Sequence, residues 1–188
     1  MTPAEDSQLL LAYARRGDVK SLSALVTGNA RWLTAYLRGS LSSDADAEDA
    51  FQETWMRVIR SCGTYRGGSV RAYLTRVARS VVIDRFRRNR CPTVSIDATD
   101  DDGASLAEAT TAPEPSPDEA FETSATADEI RRAVRALPDG PRDVLLMRIE
   151  NELTFREIAA LLGVPLGTAL TWMRSATIRL KKALGECP

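Results

Sequence analysis

Apolar residues recur every three or four positions through most of this chain, and the runs in which they do so predict its helices. Residues 5–16 place Leu9, Leu10, Ala12 and Tyr13 at helical spacing. Residues 18–38 do the same with Leu22, Leu25, Val26, Trp32, Leu33, Tyr36 and Leu37. Residues 46–60 gather Ala47, Ala50, Phe51, Thr54, Trp55, Val58 and Ile59 on one broad face. Acids crowd the start of that segment and Arg57 and Arg60 its end, the arrangement a helix dipole favours. A Gly-rich loop follows, SCGTYRGGS at 61–69, and then a long helix over 70–90 with Val70, Leu74, Val77, Val81 and Phe86 as its packing stripe. The pattern nowhere alternates as a strand would, so the expected fold is all-α.

The period returns at 152–182, ELTFREIAALLGVPLGTALTWMRSATIRLKK, as two short helices and a tight turn. Thr154 and Glu157 have the spacing of a capping box, and Ile158, Leu161 and Leu162 share a face. Gly163 suits a left-handed helix stop, and Pro165 suits the first turn of the next helix. Leu166, Ala169, Leu170 and Met173 give that second helix an apolar side. This is the pattern of a helix-turn-helix, which sets its second helix into a DNA major groove. A plain helical hairpin packed on a core has the same local pattern.

Between the two helical regions the period is lost. Residues 91–126 hold Pro92, Pro113, Pro115, Pro117 and a run of three Asp at 100–102, a composition that cannot bury enough surface to offset ordering entropy. We therefore expect two small helical domains, 1–90 and 127–188, joined by a flexible acidic linker over 91–126.

Charge sharpens this division. The net charge of −1 hides +6 over residues 1–90, −11 over 91–129 and +4 over 130–188. The helix at 70–90 holds Arg71, Arg76, Arg79, Arg85, Arg87, Arg88 and Arg90 against the single acid Asp84. Such a helix repels itself unless an anion lies alongside, and nucleic-acid phosphate is the natural candidate. Tyr65, in the loop before it, is the kind of ring on which an unstacked base can lie. A solvated basic face is the plainer alternative.

Other chemistry is sparse. There is no histidine, and Cys62, Cys91 and Cys187 lie too far apart for a zinc site. Neither a metal nor a cofactor is expected. The absence of a nucleophile motif or phosphate loop argues against an enzyme, and no small-molecule substrate is expected. The acidic start lacks the features of a signal peptide, and no apolar run reaches the ~20 residues a membrane span needs, so a cytoplasmic protein is expected.

Three segments together resemble one family. DAEDAFQETWMRVIRS at 46–61 is similar to the polymerase-binding helix of extracytoplasmic-function (ECF) RNA polymerase sigma factors, of the sigma-70 family. YRGGSVRAYLTRVARSVVIDRFRRNR at 65–90 resembles that family's promoter-melting and minus-ten region. LPDGPRDVLLMRIENELTFREIAALLGVPLGT at 137–168 resembles its minus-thirty-five domain. The segments stand in the family's order. The resemblance implies a transcription initiation factor that binds bacterial core RNA polymerase and directs it to promoter DNA. It implies core-polymerase contacts at Asp46, Glu48, Asp49, Gln52 and Glu53. It implies minus-ten contacts at Tyr65, Arg66, Arg71, Arg76, Arg79, Arg87 and Arg88. Minus-thirty-five contacts fall to Arg156, Thr168, Thr171, Arg174 and Ser175. An anti-sigma factor is an implied partner, and the acidic linker would thread the polymerase's RNA exit path.

The chain departs from the family in its recognition helix, GTALTWMRSAT at 167–177. Leu170, Trp172 and Ser175 stand where the family usually has cations, and Ser80 stands where it often has Asn. An altered upstream element follows, or else a protein-binding role for Leu170 and Trp172. Two further readings stay open. One is a stand-alone helix-turn-helix regulator. The other is an adaptor that binds polymerase or an inhibitor without recognising promoters.

Overall fold

The computed structural model describes residues 3–90 and 127–185, and among them every regular element is helical. The first module is built from α1 (Pro3–Arg16), α2 (Val19–Ser40), α3 (Asp44–Ser61) and α4 (Val70–Arg90), with a short 3-10 turn, Cys62–Thr64, after α3. The second contains α5 (residues 127–135), α6 (Asp139–Ile149), α7 (Phe155–Leu162) and α8 (Leu166–Ala183).

Local chemistry sets the helix ends. Gly17, at φ 65°, closes α1 by donating its N–H to the Tyr13 carbonyl at 2.8 Å. Asp18 then caps α2 by accepting from the Lys20 N–H at 3.1 Å, and Ser43 caps α3 by accepting from the Asp46 N–H at 3.0 Å. Ser69 does the same for α4, taking the Ala72 N–H at 3.1 Å.

In the first module Leu10, Leu25, Leu33, Tyr36, Leu37, Val58, Leu74 and Val81 are fully buried between the four helices. In the second, Val144, Met147, Leu153, Ile158, Ala169 and Ala176 are buried where α6, α7 and α8 meet. Three apolar positions of the expected stripes are not core positions, Leu166 and Leu170 of α8 among them. Phe86 is 36% exposed near the end of α4, and the Arg142 guanidinium lies 5.8 Å from its ring centroid.

The modules pack on each other, α2 against α6 and α4 against α7. Leu146 sits on Gly39 so closely that a Cβ there would meet its Cδ2 at 2.5 Å. Arg135 reaches from α5 to the end of α2, donating to the carbonyls of Arg38 at 3.0 Å and Ser42 at 2.9 Å. The linker expected over 91–126 lies outside the described residues, as do Cys91 and Cys187.

Candidate nucleic-acid interface

The face of α3 opposite its core residues exposes Glu48, Asp49 and Gln52, and Met56 continues it at 47% exposure. Met56 was not singled out by its sequence context. Asp46 and Glu53 are half-buried and committed to the fold. Asp46 lies 3.4 Å from Arg85 of α4, and Asp49 lies 3.6 Å from the same guanidinium. Glu53 accepts from Arg57 at 2.8 Å, which holds its carboxyl below the ordinary carboxylate range. Arg57 also donates to Asp84 at 2.7 Å and to Ser80 at 3.2 Å. The acids of α3 thus form part of the seam between α3 and α4, and three of the expected docking residues project from it.

The loop before α4 turns through Gly67 and Gly68, whose φ values of 106° and 102° lie in a region that side chains avoid. Tyr65 differs from expectation. It is 7% exposed, tilted against Tyr73 with ring centroids 5.4 Å apart. Its hydroxyl donates to the Gly68 carbonyl at 2.7 Å and lies 3.0 Å from Ser7 Oγ on α1. A ring packed this way shapes the loop and offers no free face to a base. Arg66 is exposed, with its guanidinium on the Gly63 carbonyl at 2.9 Å.

The arginines of α4 divide into two groups. Arg76, Arg87 and Arg88 are exposed. Arg71 and Arg79 are half-buried and face the second module. Arg71 lies over the Trp32 ring at 5.3 Å and pairs with Glu152. Arg79 pairs with Asp143 at 3.1 Å. Burial pushes the Asp143 carboxyl above its ordinary range, and the Arg79 charge opposes that shift. Between these two pairs the Asn151 amide donates to Thr75 Oγ1 at 2.8 Å, both residues being fully buried. Glu152 adopts φ 49°, a left-handed backbone held by a non-glycine residue. Asp143, Asn151, Glu152 and Thr75 gave no signal in the sequence, since their partners lie 64 to 81 positions away.

The helix-turn-helix forms as the spacing predicts. Thr154 and Glu157 make a reciprocal capping box, and Gly163 ends α7 at φ 68°. Pro165 stands one position earlier than expected, just before α8, where its carbonyl accepts the Thr168 N–H at 3.0 Å. Outward from α8 point Thr171 and Arg174, with Arg156 exposed on α7. Thr168 and Ser175 are half-buried. Thr171 Oγ1 donates to the Gly167 carbonyl at 2.9 Å, and Ser175 Oγ accepts from Arg179 at 3.4 Å. Trp172 faces inward and lies on Gly140, where an added Cβ would meet its ring at 2.9 Å. It is a packing residue and partly buried, so little of it is left for the protein-binding role considered for it. Leu170 does remain exposed, at 46%.

The three expected contact groups thus occupy α3, the loop with α4, and α7 with α8. Two models of one family match these regions, Sigma-70 region 2 over residues 25–91 and Sigma-70 region 4 over residues 127–180. The chain belongs to the ECF group of the sigma-70 family. Members of that family are transcription initiation factors.

The chain is similar to the ECF RNA polymerase sigma factor SigE of Mycolicibacterium smegmatis, 28% identical over 141 residues. That match covers 75% of this chain and 52% of SigE, so the chain spans about half the length of that relative. The ferric citrate uptake sigma factor FecI of Escherichia coli is 28% identical over 145 residues, 77% of this chain and 80% of FecI. Among solved structures, CnrH in complex with the cytosolic domain of CnrY matches at TM-score 0.67 and 19% identity, over 97% of this chain and 99% of that one. The sigma factor RpoE of Bartonella quintana, in complex with the anti-sigma factor NepR, matches at TM-score 0.66 and 17% identity, over 88% of this chain and 98% of that one. Both likenesses are of fold. No described helix of this sigma factor is long and apolar enough to cross a membrane.

Proposed function

We propose that this sigma factor docks on bacterial core RNA polymerase through α3, follows the melted minus-ten strand with α4, and reads the minus-thirty-five duplex with α8. The observation that carries this is the outward face of α3. Glu48, Asp49, Gln52 and Met56 form an acidic, partly apolar row on a helix whose other faces are already packed. A row of that chemistry suits a basic helical partner. A stand-alone DNA-binding regulator has no use for it.

Arg66, Arg76, Arg87 and Arg88 are the exposed cations for the minus-ten strand, and Arg71 and Arg79 join them once freed from Glu152 and Asp143. Arg156, Thr168, Thr171, Arg174 and Ser175 supply the upstream contacts. The functional division runs 1–90, 91–126 and 127–188, with the acidic middle segment as the connection between two separated promoter elements. The protein does no covalent chemistry and works in the cytoplasm. An anti-sigma factor is the partner that holds it inactive.

Run-off transcription with core polymerase on a library of promoter fragments tests the reading. Specific starts that depend on the protein are expected. Replacing Glu48 and Asp49 together with Lys is expected to lower core binding by at least about a hundredfold, because like charges set against each other cost several kcal/mol. Circular dichroism would confirm that the helices remain. Unchanged binding by the double variant removes the docking assignment. Tight core binding without starts would favour an adaptor, and the engagement of Arg71 and Arg79 by the second module is the observation on that side.

A further inference from the structure

The outward face of α8 carries apolar side chains that its own fold does not use. Leu166 is 41% exposed and Leu170, one turn on, 46%. Arg174 and Ile178 continue the same row at four-residue steps. The inward side of the helix is filled without them, by Ala169 and Ala176 with Trp172, Met173 and Leu180 packed alongside. The whole helix has four cations (Arg174, Arg179, Lys181, Lys182) and no acid. That charge draws a polyanion to this face, and the two leucines stand at the N-terminal end, the part of a recognition helix that reaches base edges.

Only one apolar group projects into the major groove of DNA, the C5-methyl of thymine. We propose that Leu170, together with Leu166, reads thymine methyl groups in the upstream promoter element. The inference rests on the proposed role of α8 and names what that helix recognises. Four helical residues rise about 6 Å, or roughly two base steps, so the two leucines meet different base pairs. Arg174 lies one turn further, with a guanidinium suited to the O6 and N7 of guanine. Loss of the family's usual cation at position 170 is then an exchange of phosphate attraction for methyl contact.

Uracil keeps every hydrogen-bonding group of thymine and lacks only the methyl. The test assembles the full chain with core polymerase and selects preferred fragments from a promoter pool randomised over the upstream element. Binding is then measured on the selected fragment with each thymine of that element replaced singly by uracil, for the wild type and for Leu170→Ala. The wild type should weaken about fourfold at one or two of these positions, the worth of one buried methyl-sized group. Leu170→Ala should bind thymine and uracil DNA alike at the position Leu170 faces. Equal binding of wild type to thymine and uracil at every position overturns the proposal and leaves the reading of α8 intact. Equal sensitivity in Leu170→Ala also overturns it. A pool that yields no upstream preference overturns both, and the leucines would then belong to a protein interface.

Discussion

α4 and α8 both bear arginines and are both proposed to meet nucleic acid, and the fold treats them in opposite ways. Most of the inner length of α4 is covered. Arg85 faces Asp46 and Asp49 of α3, while Arg71 and Arg79 are taken by Glu152 and Asp143 of the second module. Among the described residues the outward face of α8 has no such cover, and Leu166, Leu170, Arg174 and Ile178 stand open along it. In the proposed roles, the helix that reads the upstream element is open to DNA, and the helix that follows the melted strand is partly covered by the module that carries the reader. The contrast teaches that a surplus of arginine on a helix does not reveal which anion meets it first. In α4 the first anions met are carboxylates of the same chain.

The largest expected effect probes where the open face of α8 ends. Trp172→Arg restores the cation usual at that position in the family. Because Trp172 lies on Gly140, the change is expected to cost on the order of 2 kcal/mol of stability by thermal or urea unfolding, with no gain in DNA affinity. Tighter DNA binding without destabilisation would place Trp172 on the outward face after all.

Next comes the cover over α4. Asn151→Ala removes the buried amide that donates to Thr75 and leaves a small void, weakening the contact between modules by about 1 kcal/mol. Binding of a single-stranded minus-ten oligonucleotide by the free protein should then rise. If it stays the same, the buried pair does not restrain α4.

The smallest effect separates two arginines of the same helix. Arg76→Ala and Arg79→Ala should each lower the salt dependence of promoter binding by a slope of about 1, the mark of one lost phosphate contact. Only Arg79→Ala should also loosen the modules, since only Arg79 pairs with Asp143. Identical behaviour of the two variants would dissolve the distinction between covered and open cations.

The helices were legible from the sequence because what defines them is local. Apolar period, Thr154 as a cap and Gly163 as a stop all act within a few residues. The second helix, read as 18–38, runs Val19–Ser40, and the third, read as 46–60, runs Asp44–Ser61. Side chains whose surroundings come from distant segments were not legible. Tyr65 sits in a Gly-rich loop of the sort that lies at a surface, yet Ser7, 58 positions away, meets its hydroxyl. Phe86 fits the helical stripe, but it falls beyond the packed part of α4 and is partly exposed. The cover over α4 depends on the turn after α6, at Asn151 and Glu152, whose composition reads as an ordinary polar turn. Of the candidate contacts, those on α8 were named by the resemblance, and helical period accounts for which of them point outward; the surroundings of those on α4 needed the second module to be seen.

The most direct test of the account is the distance between the two modules before and after promoter opening. Fluorescent labels at exposed positions on α1 and α8 would report it by energy transfer, in the free protein and in the complex with core polymerase and an opened promoter. The account predicts a short distance in the free protein and a clearly longer one in the open complex, as α4 leaves Asp143, Asn151 and Glu152. Specific transcription starts made with the distance unchanged would contradict it.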